Sequence, residues 1–139
     1  MRRFLLFLVL AFSCIPQLIA QPAIKVIRES LILGDLPISR QYAEFDVLCV
    51  NAGDSPLYLT DVRSTCPCVE SDFQTEAVIP GDTTSIHVVY HFKYLGDFSY
   101  PLWIYYNSED PEDRFVADFY GKTVLPVETG DSLYIDRKE

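Results

Sequence analysis

Three short stretches alternate apolar and outward-facing residues with a period of two, and this rhythm constrains the chain more than any other feature. In RQYAEFDVLCV, Phe45, Val47 and Cys49 fall on one side. Leu57 and Leu59 do the same in LYLTDV, as do Ile86, Val88 and Tyr90 in SIHVVYHF. Period-two spacing puts each set on one face of a β-strand. Nine tyrosines and nine phenylalanines suit such pleated, half-buried surfaces. Turn residues separate the runs at Asn51–Pro56, at Pro80-Gly81-Asp82, at Leu95-Gly96-Asp97 and at Asn107–Pro111. Strands are expected near 25–33, 40–50, 57–64, 68–73, 83–92, 98–106 and 114–123. Seven short strands without a helix predict an all-β, immunoglobulin-like β-sandwich spanning residues 21–124.

The first 20 residues read differently. Arg2 and Arg3 precede an unbroken apolar run, Phe4 to Phe12, with Pro16 and Ala20 following. Nine apolar residues are too few to cross a bilayer, which takes about 20. The pattern is that of a secretory signal peptide over 1–20, cleaved after Ala20, so no transmembrane segment is expected. A rival route is lipoprotein processing with anchoring through Cys14, which follows Ala11-Phe12-Ser13. Cleavage after Ala20 leaves 119 residues with a formal charge of −11, enough chain for one domain with its own core. Such an acidic chain repels phosphate backbones, which argues against nucleic acid as a partner. Residues 125–139 read as a polar C-terminal tail, with a short strand at 132–135.

The outward faces of the expected strands are less polar than a wet sheet requires. Leu48, Val50, Val89, Trp103 and Tyr105 all alternate with the core-facing set. Either loops and long side chains cover them, or Trp103 and Tyr105 form an aromatic interaction face for a partner or glycan.

Catalytic patterns are scarce. The chain has no phosphate-binding glycine loop, no G-x-S-x-G elbow and no H-E-x-x-H. Its two histidines, His87 and His91, would lie about 13 Å apart along one strand face, too far for a single ion. Asp61, Glu70 and Asp72 surround the cysteine loop in sequence, where negative charge would raise thiol pKa values and blunt nucleophilicity. No enzyme activity, resident metal or cofactor is implied.

Three cysteines remain beyond the leader: Cys49, Cys66 and Cys68. Cys49 precedes one turn and Cys66 follows the far end of the next strand, so about 20–25 Å should separate them. A disulfide tolerates Cα atoms no more than about 7 Å apart. Cys49 therefore reads as a small core hydrophobe. Closing the three-residue Cys66-Pro67-Cys68 loop restricts the unfolded chain by only about 1.6 kcal/mol, against about 3 for a 15-residue loop. Three readings stay open for this pair: a local disulfide that shapes the loop, a Cu(I) site of two thiolates, and thiols that exchange with a partner or stay idle.

Taken together, FDVLCVNAGDSPLYLTDVRSTCPCVESDF, VIPGDTTSIHVVYHF, GDFSYPLWIYYNSED and FYGKTV resemble the bacterial family called domain of unknown function 1573. The family pattern is a strand ending in an Asn-x-Gly turn, a Leu-x-Ile strand, a Cys-Gly-Cys loop, a Pro-Gly turn and a later strand closing in Asn. Asn51, Gly53, Leu57, Leu59, Cys66, Cys68, Pro80, Gly81, Gly96, Phe98, Asn107 and Gly121 stand at matching places. The resemblance implies an immunoglobulin-like sandwich akin to Hydin-type domains, export to a Gram-negative envelope, and no established enzyme activity. Three positions depart from the pattern. Pro67 stands where glycine is usual, Val69 where threonine is common, and Cys49 where a large apolar residue is usual.

The expectation is an exported, non-enzymatic module of the periplasm or cell surface that binds or scaffolds an envelope protein or glycan. The alternative is a thiol-redox or Cu(I)-handling protein using Cys66 and Cys68.

Overall fold

A computed structural model describes residues 19–127. The expected leader lies outside them apart from its last two residues, as do Cys14 and residues 128–139 with the expected strand at 132–135.

Among the described residues, eight strands form two four-stranded sheets packed face to face. They are β1 (Ile24–Val26), β2 (Ser30–Pro37), β3 (Tyr42–Asn51), β4 (Leu59–Ser64), β5 (Val69–Phe73), β6 (Thr83–His91), β7 (Gly96–Tyr106) and β8 (Arg114–Val124). One sheet runs β1-β3-β6-β5 and the other β2-β8-β7-β4. All pairings are antiparallel except β2 with β8. The architecture is the expected β-sandwich. Among the described residues no helix is long and apolar enough to cross a membrane.

The alternation that predicted the strands also builds the core. Val47, Cys49, Ile86, Val88 and Tyr90 point inward from one sheet, against Leu59, Leu102, Ile104, Ala117 and Phe119 from the other. Phe119 is fully buried, with the rings of Phe45 at 5.1 Å, Tyr90 at 5.4 Å and Tyr100 at 5.9 Å, centroid to centroid. Tilted and edge-on aromatic contacts at these spacings add to the area term of burial.

The single strand expected at 25–33 is a correction: it is two strands in different sheets. Val26 faces the core from β1, yet Leu31 and Leu33 face it from β2, and an odd spacing reverses the period-two phase. The chain crosses between sheets at Ile27–Glu29. On one side Ile27 N–H bonds Leu48 O (2.9 Å), and on the other Glu29 O accepts from Asp118 N–H (2.8 Å). A bulge between Ile32 and Gly34 flips the phase again, so that Leu36 rather than Asp35 is buried. Gly34 adopts φ 70° at this bulge, and its carbonyl presses on Gly121 of β8. A Cβ on Gly121 would stand 2.7 Å from that oxygen and 2.8 Å from the Phe98 ring, which leaves glycine as the residue that fits.

Asn51 and Asn107 organise the end of the sandwich away from the cysteine loop. The buried Asn51 donates from Nδ2 to Ser55 O and Val78 O, both at 2.8 Å, and accepts from Gly53 N–H at 3.0 Å. Asn107 accepts from Tyr58 N–H (2.8 Å) and donates to Pro56 O (3.1 Å). These satisfied amides hold turns in place of backbone ladders.

Phe119→Ala should cost about 3–5 kcal/mol, the range for emptying a buried aromatic site. Urea unfolding checks this, with the midpoint falling and the slope unchanged.

Candidate functional site

Two surfaces collect the residues singled out from the sequence. The first is the end of the sandwich where the Cys66-Pro67-Cys68 loop joins β4 to β5. There the core ends in the buried rings of Tyr90, Phe92 and Phe98. A cleft of about 730 Å³ opens between the sheets, with the cysteine loop on one rim and Lys93, Tyr94 and Leu95 of the β6–β7 loop on the other. Its interior is aromatic, formed by Tyr90, Phe92, Phe98 and Tyr100. The volume lies in the usual range for ligand pockets. Burial pushes the Tyr90 hydroxyl up to about 12, and the neighbouring Tyr100 adds to the rise.

Cys66 and Cys68 are joined as a disulfide, with Cα atoms 5.0 Å apart. Cys68 packs on the core, and its backbone N–H points at Cys66 Sγ (3.3 Å). The loop is also held by backbone bonds that do not involve sulfur, Val69 N–H to Cys66 O (3.3 Å) and His91 N–H to Cys68 O (2.8 Å). Cys49 is free and completely buried, and desolvation pushes its thiol up to about 12.

The carboxylates expected around this loop disperse. Asp61 lies on the outer face of its sheet, bonded to Arg63 at 2.5 Å. Asp72 sits opposite His87 in the β5–β6 register. Only Glu70 of the three lines the cleft, with its carboxylate 3.4 Å from His91 Nε2. Negative charge therefore gathers less densely on the cysteines than their sequence neighbours imply. The two histidines separate as well, His91 to Glu70 and His87 to Asp46 at 2.9 Å. Among the described residues no group of three or more His, Cys, Asp or Glu side chains is arranged to hold a metal ion.

The second surface is the outer face of the β2-β8-β7-β4 sheet. Trp103 and Tyr105 of β7 lie here, half-buried under flat guanidinium groups. Arg63 stacks 5.3 Å from the Tyr105 centroid, and Arg114 lies 5.4 Å from Trp103 and 6.0 Å from Tyr105. Cross-strand register sets Val116 beside Trp103 and Tyr120 beside Ile32. These three aliphatic and aromatic neighbours are open to solvent, Ile32 at 72% exposure. Long cationic side chains thus shade the two rings without sealing the face. Sequence reasoning found the rings but missed Ile32, which it placed in a continuous strand. It also missed the cleft, whose walls come from distant segments.

The two sheets, their Greek-key-like crossing and the mixed pairing of β2 define an immunoglobulin-like or PapD-like β-sandwich domain. The protein-family model described as "Protein of unknown function (DUF1573)" matches residues 24–118, and the chain belongs to this family. Solved structures of similar fold include a protein of unknown function from Porphyromonas gingivalis W83, at 18% identity and TM-score 0.57, covering 81% of this chain and 51% of that one. The VesB protease of Vibrio cholerae matches at 11% identity and TM-score 0.57, over 86% of this chain and 35% of the protease. The ASH/PapD-like domain 7 of human CEP192 matches at 8% identity and TM-score 0.59, over 76% of this chain and 88% of the domain. At these identities the likeness is one of fold. The chain spans about half of the Porphyromonas protein's length. No curated protein gives a significant match.

Site-mapped alkylation of the native protein at pH 8 should leave Cys49, Cys66 and Cys68 unmodified. Mild reduction without denaturant should expose Cys66 and Cys68 alone, with Cys49 reacting only on unfolding. A separate titration tests the outer histidine. The hydrogen bond that the protonated His87 ring donates to Asp46 raises the His87 pKa above its ordinary 6.5. A raised folded value means this pair favours the fold at pH below 6.5, and the contribution disappears as pH rises through the folded pKa. An NMR titration should therefore show His87 midway above 6.5, falling back in Asp46→Asn.

Proposed function

We propose that the protein is an exported, non-enzymatic β-sandwich module of the cell envelope that binds a protein or glycan partner through the Trp103–Tyr105 face. The observation that carries this reading is the outer face of the β2-β8-β7-β4 sheet. Two aromatic rings, two stacked arginines and the exposed Ile32, Val116 and Tyr120 share one side of the sheet. Tryptophan, tyrosine and arginine are the residues that most often dominate binding energy at protein interfaces. Flat rings also suit the apolar faces of sugar rings.

Export is supported by the leader-like residues 1–20 and by the disulfide, a bond that persists in oxidising compartments. Among the described residues, Gln21 is the first to join the body, where its carbonyl accepts from Asp54 N–H (3.1 Å). Removal of residues 1–20 would spare that contact. Thiol-redox or Cu(I) handling is the second reading, and the cysteine loop on a cleft rim is what favours it. Cu(I) needs reduced sulfur, so this version requires the pair to open first.

Trp103→Ala should leave the unfolding free energy from urea titration within about 0.5 kcal/mol of the parent, as expected for a site outside the core. Its partner affinity should fall by about 30-fold or more, the loss of a hot-spot residue. Matched pull-downs from envelope extract followed by titration measure this. Equal recovery by parent and variant rules out the face.

A further inference from the structure

We propose that the aromatic cleft is a thiol–disulfide exchange site, which takes a cysteine in an extended peptide segment bearing an adjacent aromatic residue. This deepens the thiol-redox reading of Cys66 and Cys68 given above, on which it rests, and does not depend on the outer-face reading. The juxtaposition is specific. A disulfide forms one rim of a cleft floored by the half-buried Tyr100 over the largely buried rings of Tyr90, Phe92 and Phe98.

The geometry gives the exchange a direction. The peptide thiolate attacks Cys68 Sγ, a bond forms between these two sulfurs, and the Cys66–Cys68 bond breaks. Cys66 leaves with the electron pair as a thiolate. The Cys68 N–H already faces Cys66 Sγ at 3.3 Å and so donates to the charge that develops there. Stabilising the leaving thiolate speeds exchange. Cys68 keeps its packing on the core, while Cys66 is free to move away. A second peptide thiolate then attacks the peptide sulfur of the mixed disulfide. It releases oxidised peptide dimer and the Cys68 thiolate, so that two thiols are oxidised and the cysteine pair gains two electrons and two protons.

Opening the bond leaves the domain intact. Val69 N–H to Cys66 O, His91 N–H to Cys68 O and the β5–β6 ladder hold the loop in either redox state. The only other cysteine among the described residues is sealed in the core and takes no part. Selectivity for a peptide over a small thiol comes from the cleft itself. About 730 Å³ accommodates an aromatic side chain and flanking backbone beside the sulfur. Tyr94 and Leu95 stand on the opposite rim, 84% and 51% exposed, where they can close over such a segment.

The test uses the full chain in its oxidised form with two blocked peptides, each carrying one cysteine, flanked by phenylalanine in one and by alanine in the other. Glutathione serves as the small-thiol arm. Acid-quenched samples are mapped by mass spectrometry. The expected result is a mixed disulfide on Cys68, forming about tenfold faster with the phenylalanine peptide than with the alanine peptide, as burial of one ring would give. Replacing both rim residues (Tyr94→Ser with Leu95→Ser) removes only exposed side chains. That variant should lose the tenfold preference and keep the glutathione rate. An adduct on Cys66, no adduct on either sulfur, or equal rates for the two peptides overturns the proposal. So does a rim variant that keeps the full preference. A glutathione rate matching that of the phenylalanine peptide points to an unselective surface disulfide and overturns it too.

Discussion

The contact of Phe119 with the rings of Phe45, Tyr90 and Tyr100 is what the rest of the molecule depends on. These side chains come from both sheets, and their tilted packing keeps the sheets in register across the interior. Toward one end the aromatic column continues through Tyr90, Phe92 and Phe98 to the floor of the cleft. Tyr90 and Phe98 belong both to the core and to the cleft, with ring centroids 4.7 Å apart. Stability and the candidate site therefore share side chains, and a substitution deep in the cleft changes the core as well.

Much of the fold was legible because alternation survives wherever a strand stays in one sheet. β3 and β6 pair over nine residue positions, Tyr42–Val50 with Thr83–His91, and both inner faces follow the period-two reading. The N-terminal segment broke that reading twice in eleven residues, at the crossing near Arg28 and at the bulge before Gly34. Both breaks involve pairing with β8, more than 80 residues away, which no local pattern records. The separation of Cys49 from the other two cysteines was legible from strand length alone, while the sequence left Cys66 and Cys68 open between a disulfide, a Cu(I) site and free thiols. The cleft was not. Its walls come from β5, β6, β7 and the end of β8, and the sequence marks none of these as neighbours.

The carboxylates show the same limit in electrostatic form. Asp61, Glu70 and Asp72 lie within twelve residues of one another, yet strand geometry sends Asp61 to the outer face of one sheet beside Arg63 and leaves Glu70 and Asp72 on the outer face of the other, where Glu70 meets His91. Proximity in sequence overstated the field at the sulfurs.

The four outermost strands have a consequence for self-association. β1 is three residues long and β5 only five, while β2 and β4 each carry a register break and β2 ends in Pro37. Short, kinked or proline-terminated borders offer a poor template for another chain's backbone, which is how sandwiches resist stacking into fibrils. A concentrated population of this protein is protected along its edges, and a ligand must be recognised by side chains rather than by adding a strand.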